Sequence, residues 1–242
     1  MEQNQDMVVG RNPVREALRA HRSIHKLFLL EGNKSKVLQE LSGLAKNAGI
    51  PVQWVVRQKL DKLSAGAVHQ GVVAFVSAYE YVDVDEMLEK AGPLPFLLIL
   101  NEVNDPHNLG AILRTAEAAG VDGVIIPKRR AAALTSAVAK ASAGALEYMA
   151  VARVSNIVAT IDILKKKGLW IVGAHMDGMP YWDTHLDGPV ALVIGGEEKG
   201  LGRLVEEKCD ILVRIPMLGK GISLNASVAA AVLSYEILRQ RR

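Results

Sequence analysis

Ser223 and Asn225 lie on a loop between two patterns of opposite period. A β-branched run over 211–215 stops at Pro216, and a turn with Gly219 and Gly221 follows. From Ala226 onward Val228, Val232, Leu233, Tyr235, Ile237 and Leu238 recur at helical spacing. A hydroxyl and a carboxamide at the mouth between strand and helix sit where an open α/β sheet holds its ligand. Capping the helix is the simpler use of either residue. Two of them after two glycines, on a loop longer than a cap needs, point toward a site. A second stretch, Asn101-Glu-Val-Asn-Asp-Pro-His-Asn-Leu-Gly110, follows an apolar run over 94–100. It offers Asn104, Asp105, His107 and Asn108, although Asp105-Pro106 also suits a turn and Asn108 also suits an N-cap. Arg114 is the only charge between Leu109 and Ala116, on an otherwise small and apolar helix, which suits a side chain aimed into a cleft.

The third stretch is Ile194-Gly-Gly-Glu-Glu-Lys-Gly-Leu-Gly202. Gly195 and Gly200 have the spacing that opens a P-loop, but Leu201 and Gly202 stand where Lys and Ser or Thr are required, which excludes ATP binding by that route. Its glycines let the backbone approach a flat ligand. No Gly-x-Gly-x-x-Gly follows any strand. The densest His/Asp stretch, His175, Asp177, Asp183, His185 and Asp187, straddles Gly178 and Pro180 without a metal-ligand spacing and reads as a surface loop rather than a hydrolytic metal centre. The single cysteine, Cys209, excludes an internal disulfide and a multi-cysteine zinc site.

The elements that must position these loops alternate. Strands are expected at 94–100, 123–126, 149–154, 170–174, 190–194 and 211–215. Helices are expected at 111–119, 134–143, 156–167 and 201–207, and from 226. That order predicts a mostly parallel sheet with helices on both faces. Ahead of it, 10–14 reads as a turn feeding a helix through about residue 20, with Pro13 suited to the first helical turn; 36–48 and 58–63 read as helices, and 24–30, 52–56 and 72–76 as strands. The expected organisation is an αβ module over 1–76, a linker over 77–92 with a short helix at 84–90, and a second module over 93–242.

Charge separates the same modules. Residues 1–76 carry 11 Lys and Arg against 6 Asp and Glu, a net +5 within a chain of net +3, so the remainder is slightly acidic. A basic front module suggests a polyanion partner. Lys128-Arg-Arg130 could add phosphate contacts, or be a solvated charge run. Hydrophobic residues at 50% and charged residues at 23% are the balance of a soluble globular chain. No apolar run reaches membrane-spanning length. With a polar, acidic start, the expected location is the cytoplasm, with no membrane partner and no metal.

Taken together, Asn104-Asp-Pro-His-Asn-Leu-Gly-Ala-Ile-Leu-Arg-Thr-Ala-Glu-Ala-Ala-Gly120, Val193-Ile-Gly-Gly-Glu-Glu-Lys-Gly-Leu201 and Ile215-Pro-Met with Ser223-Leu-Asn225 resemble the three ordered motifs of the SpoU/TrmH branch of the SPOUT RNA methyltransferases. Gly10-Arg-Asn-Pro-Val14 and Gln70-Gly-Val-Val73 resemble the ribosomal-protein-like RNA-binding domain of bacterial 23S rRNA guanosine-2′-O-methyltransferases. The resemblance covers nearly the whole chain. It implies an α/β fold whose C-terminal parallel-sheet SPOUT domain is tied in a trefoil knot, a homodimer, and S-adenosylmethionine as methyl donor. It further implies a ribose 2′-hydroxyl as acceptor, in 23S rRNA rather than tRNA. Asn108, Arg114, Glu197, Ser223 and Asn225 would be catalytic, while Gly195, Gly196, Ile215, Met217 and Leu224 would hold the donor. A guanidinium keeps its proton at physiological pH, so Arg114 is expected to anchor a phosphate and a developing oxyanion rather than act as a base. Glu197 would orient it, from the same or from the other subunit, or act directly on the ribose. A non-catalytic ribosome-assembly protein would share the basic module but would need no such convergence on a donor pocket.

Overall fold

The computed structural model describes residues 6–32, 35–197, 199–219 and 223–242. Glu198 and Gly221, named above, lie outside them. Two compact units emerge: 1–79 with 134–148, and 80–133 with 149–242.

The first unit carries a four-stranded sheet in the order β1-β4-β2-β3, with β1 (Asp6–Val9), β2 (Ile24–Leu30), β3 (Val52–Val55) and β4 (Val72–Val76). The β2–β3 pair is parallel, and the β1–β4 and β2–β4 pairs are antiparallel. Between them lie α1 (Arg11–Arg19), α2 (Lys36–Asn47) and α3 (Arg57–Leu63). Alternate residues of β2 face opposite layers, as the two-residue period of a strand requires. Leu27 and Leu29 pack in the layer with Leu38 and Leu41 of α2, and Phe28 in the layer with Leu60 of α3. Strand β1 went unforeseen because four residues before a glycine carry too little pattern.

A later stretch of chain completes this unit. Helix α6 (Ser136–Ala141) and a 3-10 turn (Ala145–Glu147) belong to it, although in sequence they fall inside the second module. Glu147 is the reason. It is buried, accepts from Arg22 Nη1 at 3.1 Å and from the Tyr79 hydroxyl at 2.6 Å, and the Arg22 guanidinium lies 3.4 Å over the Tyr79 ring. Arg22 also donates to the Ser77 carbonyl at 2.6 Å. Burial, with the Glu147 carboxylate beside it, pushes the Tyr79 hydroxyl pKa far above its usual value.

In the second unit six strands form one wholly parallel sheet, in the order β10-β8-β9-β5-β6-β7. They are β5 (Phe96–Asn101), β6 (Gly123–Pro127), β7 (Val151–Val154), β8 (Trp170–Pro180), β9 (Val190–Gly195) and β10 (Ile211–Arg214). The central β5 reads Phe-Leu-Leu-Ile-Leu because a strand covered on both faces has no polar side. Helices α4 (Val84–Lys90), α5 (Pro106–Ala118), α7 (Ile157–Lys166), α8 (Arg203–Glu206) and α9 (Ala226–Gln240) accompany the sheet. From β5 the chain moves to β6 and β7 on one side, while β9, β8 and β10 fill the other. The carboxyl ends of β5 and β9 therefore flank a switch point, where a crevice is expected.

In the second unit α5 and β8 also differ from their sequence reading. Helix α5 starts at Pro106 rather than 111, because Asp105 caps it and proline suits its first position. Strand β8 runs on to Pro180, so His175 and Asp177 lie in extended chain rather than a loop. The β10 register jumps from Gly173 to Met179, leaving 174–178 bulged beside the carboxyl edge.

Candidate active site

Asn108 is the third residue of α5, and it does not cap. Asp105 does: its carboxylate accepts from the His107 and Asn108 amides at 3.1 and 3.3 Å. The Asn108 carboxamide is thereby left for other work. Its Nδ2 donates to Glu197 Oε1 at 2.6 Å, on the loop after β9. Asn225, before α9, is both cap and connector. Its Oδ1 accepts from the Ser227 amide at 2.9 Å and the Ser227 hydroxyl at 2.6 Å. Its Nδ2 donates to Asn108 Oδ1 at 3.0 Å and to Glu197 Oε1 at 2.9 Å. Three loops separated by up to 117 residues thus meet in one triangle of hydrogen bonds. A carboxylate only accepts, so the triangle fixes both amide orientations.

The backbone below explains the glycines. A β-carbon on Gly195 would stand 2.1 Å from the Gly200 carbonyl carbon, and one on Gly196 would stand 2.5 Å from the Glu102 oxygen. These glycines let the chain approach itself, closing the 196–200 turn and pressing it against the end of β5. Gly195 and Gly196 thus serve the approach of chain to chain, whereas the β-carbon positions of Gly200 and Gly202 meet nothing within 4 Å. Asn101 Nδ2 secures the same turn through the Leu201 carbonyl at 2.8 Å.

Two hollows adjoin the triangle, and Gly196, Glu197 and Ala226 line both. The larger, about 260 Å³, is lined by Gly195, Ile215, Met217, Ser223 and Leu224 among others. All five expected donor-binding residues are therefore in one place, with Ser223 beside them. The smaller hollow, about 180 Å³, is polar and includes Glu102, Asp105, Asn108 and Lys199.

Residues 95–235 match the family model of the SpoU rRNA methylases, and residues 7–82 match the model for RNA 2′-O-ribose methyltransferase substrate binding. The chain belongs to the SpoU rRNA methylase family. YacO of Bacillus subtilis (strain 168), assigned to the TrmH family of tRNA/rRNA methyltransferases, is 50% identical over 246 residues, covering 100% of this chain and 98% of that protein. The SpoU methyltransferase AviRb of Streptomyces viridochromogenes, solved with AdoMet, superposes with a TM-score of 0.84 at 26% identity, over 98% of this chain and 90% of that one. An AdoMet-bound rRNA methyltransferase of Sinorhizobium meliloti gives 0.81 at 26%, over 98% and 88%.

S-adenosylmethionine fits the larger hollow of this SpoU family member. The walls at Ile215, Met217 and Leu224 offer apolar area to a purine face. Among the described residues the backbone groups of Met217 and Leu224 meet no hydrogen-bond partner, which leaves donors and acceptors for a base edge.

Arg114 is the expected site residue that the chain does not bring in. It is six positions past Asn108, about 120° around the helix and about 9 Å along it. Its side chain is exposed, lines neither hollow, and among the described residues makes no hydrogen bond or ion pair. The cleft-facing expectation fails within one chain. Sequence reading also missed Asp105 as the cap that frees Asn108, and Glu102. The latter holds a left-handed backbone (φ 62°) at the smaller hollow and pairs with Arg130 at 2.9 Å. Lys128, Arg129 and Arg130 are at least partly exposed. Among the described residues, no cluster of three or more His, Cys, Asp or Glu is placed to share a cation.

Proposed function

We propose that this RNA methyltransferase acts on a ribose 2′-hydroxyl, that of a guanosine in 23S rRNA rather than tRNA, as a cytoplasmic homodimer whose catalytic unit carries the trefoil knot of its branch. The observation that carries the reading is the Asn108–Glu197–Asn225 triangle, standing between an apolar hollow suited to the donor and a polar one suited to a sugar.

Bound S-adenosylmethionine would supply a methyl carbon made electrophilic by its sulfonium charge. The residues supply alignment, since two reactants held in register shed most of the entropic barrier. Asn108 and Asn225 lock Glu197 through Oε1, and among the described residues Oε2 keeps no partner. That oxygen is the acceptor a second copy's Arg114 would take, leaving the other edge of the guanidinium for the substrate phosphate and the developing oxyanion. Ser223, on the rim, adds a hydroxyl next to the donor. The dimer is supported by two exposed apolar residues on one face of α9, Val228 and Tyr235, spaced at i and i+7. Helix α9 packs directly on α5, which carries Arg114.

Mixed dimers test this. Arg114→Ala and Asn225→Ala copies, each inactive alone, regain methyl transfer when mixed if the arginine acts across the interface. No recovery refutes the shared site. Arg114→Lys should reduce turnover about a hundredfold, the cost of losing an oxyanion donor, with donor affinity by calorimetry unchanged. Mapping ribose methylation in rRNA and tRNA with and without the gene identifies the nucleotide.

A further inference from the structure

A third hollow, of about 560 Å³, lies wholly within the first unit, where β1 runs into α1 and the loop before β4 returns. The two turns are interlocked. The Arg11 amide donates to Gln70 Oε1 at 3.1 Å, and Arg11 Nε donates to the Gln70 carbonyl at 2.9 Å. Gln70 takes a left-handed backbone (φ 52°) that costs a non-glycine residue about 1 kcal/mol or more. Its neighbours Gly71 (φ 88°) and Gly10 (φ 104°) supply the remaining unusual turns. Behind them His69 is almost fully buried, with both ring nitrogens used. Nδ1 accepts from the Gly71 amide at 2.9 Å, so the Nε2 hydrogen is the one given to Asp61 Oδ1 at 2.9 Å. Asp61 also lies 3.9 Å from Arg57 Nε. The wall is therefore braced, while its lining offers two guanidiniums and a small apolar face made by Leu30, Ala67 and an exposed Val68.

We infer that this hollow holds one unpaired nucleotide of the RNA substrate, its phosphate on Arg11 and Arg57 and its base against Leu30, Ala67 and Val68. Asp61 does not repel the phosphate strongly, because its charge faces Arg57 and the His69 N–H. A base inside a duplex is stacked and paired on both sides and cannot enter a concave site of this size, so the hollow selects RNA with a looped-out or bulged residue. The inference rests on RNA being the substrate, but not on the methyl-transfer chemistry proposed above.

The test uses the full chain without donor and two labelled RNA hairpins that differ only by a single bulged nucleotide. The intact protein should prefer the bulged hairpin about tenfold. Arg11→Ala with Arg57→Ala should erase that preference and lower the slope of log affinity against log salt by about 0.7 per lost contact. Ala67→Trp takes up the apolar side of the hollow, where the base would lie, and keeps both charges, so it should erase the preference while the salt slope stays. The circular dichroism spectrum and thermal unfolding curve of each variant should match those of the intact protein, which reports an intact first unit. Equal affinity of the intact protein for the two hairpins overturns the inference. So does an Ala67→Trp variant that still discriminates. Lost donor binding in the intact protein would instead sink the functional reading and leave this one standing.

Discussion

Asn225 performs two tasks with opposite ends of one carboxamide, and a pair of substitutions separates them. Asn225→Ala removes both. Asn225→Asp keeps two acceptor oxygens for the Ser227 amide and hydroxyl, so the cap on α9 survives, but an anionic oxygen replaces the amide that faces Glu197. Both variants lose the two donated hydrogen bonds, and that loss cancels in the comparison. Two contributions remain. The retained cap favours Asp by about 1 kcal/mol. Repulsion disfavours it: at the 2.9 Å separation of the present bond, two unit charges repel by about 1.4 kcal/mol in water and about 6 at an effective dielectric of 20. The groups are partly exposed and will move apart, so a net of about 2 kcal/mol against Asp is expected. For a chain of 242 residues this lowers the melting temperature by about 4–8 °C relative to Asn225→Ala. Thermal unfolding at low and high salt reads it, and the gap should narrow as salt screens the pair. If the Asp variant proves equal to or more stable than the Ala variant, Asn225 is only a cap and the triangle contributes nothing.

Other substitutions probe the backbone and the first unit. Gly195→Ala sets a methyl group 2.1 Å from the Gly200 backbone, so the turn must open; calorimetry should show donor binding weakened by at least tenfold. Burial pushes the Cys209 thiol up to about 12, and its Sγ–H donates to the Val205 carbonyl at 3.3 Å. Folded protein at pH 8 should therefore resist iodoacetamide while unfolded protein reacts within minutes, and equal rates would refute the assignment. Arg22→Met strands the Glu147 carboxylate and should cost about 3–5 kcal/mol by urea denaturation. Adding Glu147→Leu should recover much of that loss, since the uncompensated charge is then gone.

Long periodic elements were legible from sequence, and short ones set by a single contact were not. The apolar run of β5 and the spacing in α2 and α9 reveal themselves because their burial pattern is written in consecutive residues. The start of α5 was hidden by Pro106, Asn108 and Gly110, residues that also build turns, and only the Asp105 carboxylate decides between the two. At the site, the three loops were legible as a set, and Asn108, Glu197 and Asn225 do converge. What no local pattern carries is direction. Arg114 was expected in a cleft from its apolar neighbours, yet those neighbours pack the helix inward and leave the arginine outside. The glycines of the 195–202 loop show the same limit, because whether a missing side chain makes room for ligand or for chain is settled only in space.

The position of 134–148 bears on how this protein can be taken apart. A fragment ended before residue 93 would leave Arg22 and Tyr79 without the Glu147 carboxylate that joins them, and Glu16 without the Tyr148 hydroxyl that reaches it at 2.9 Å. The complementary fragment would carry a fifteen-residue excursion cut off from everything it packs on. Exchanging the RNA-reading half between relatives therefore means transplanting two stretches of chain at once, and a chimera joined at the apparent linker alone should express as an unstable hybrid.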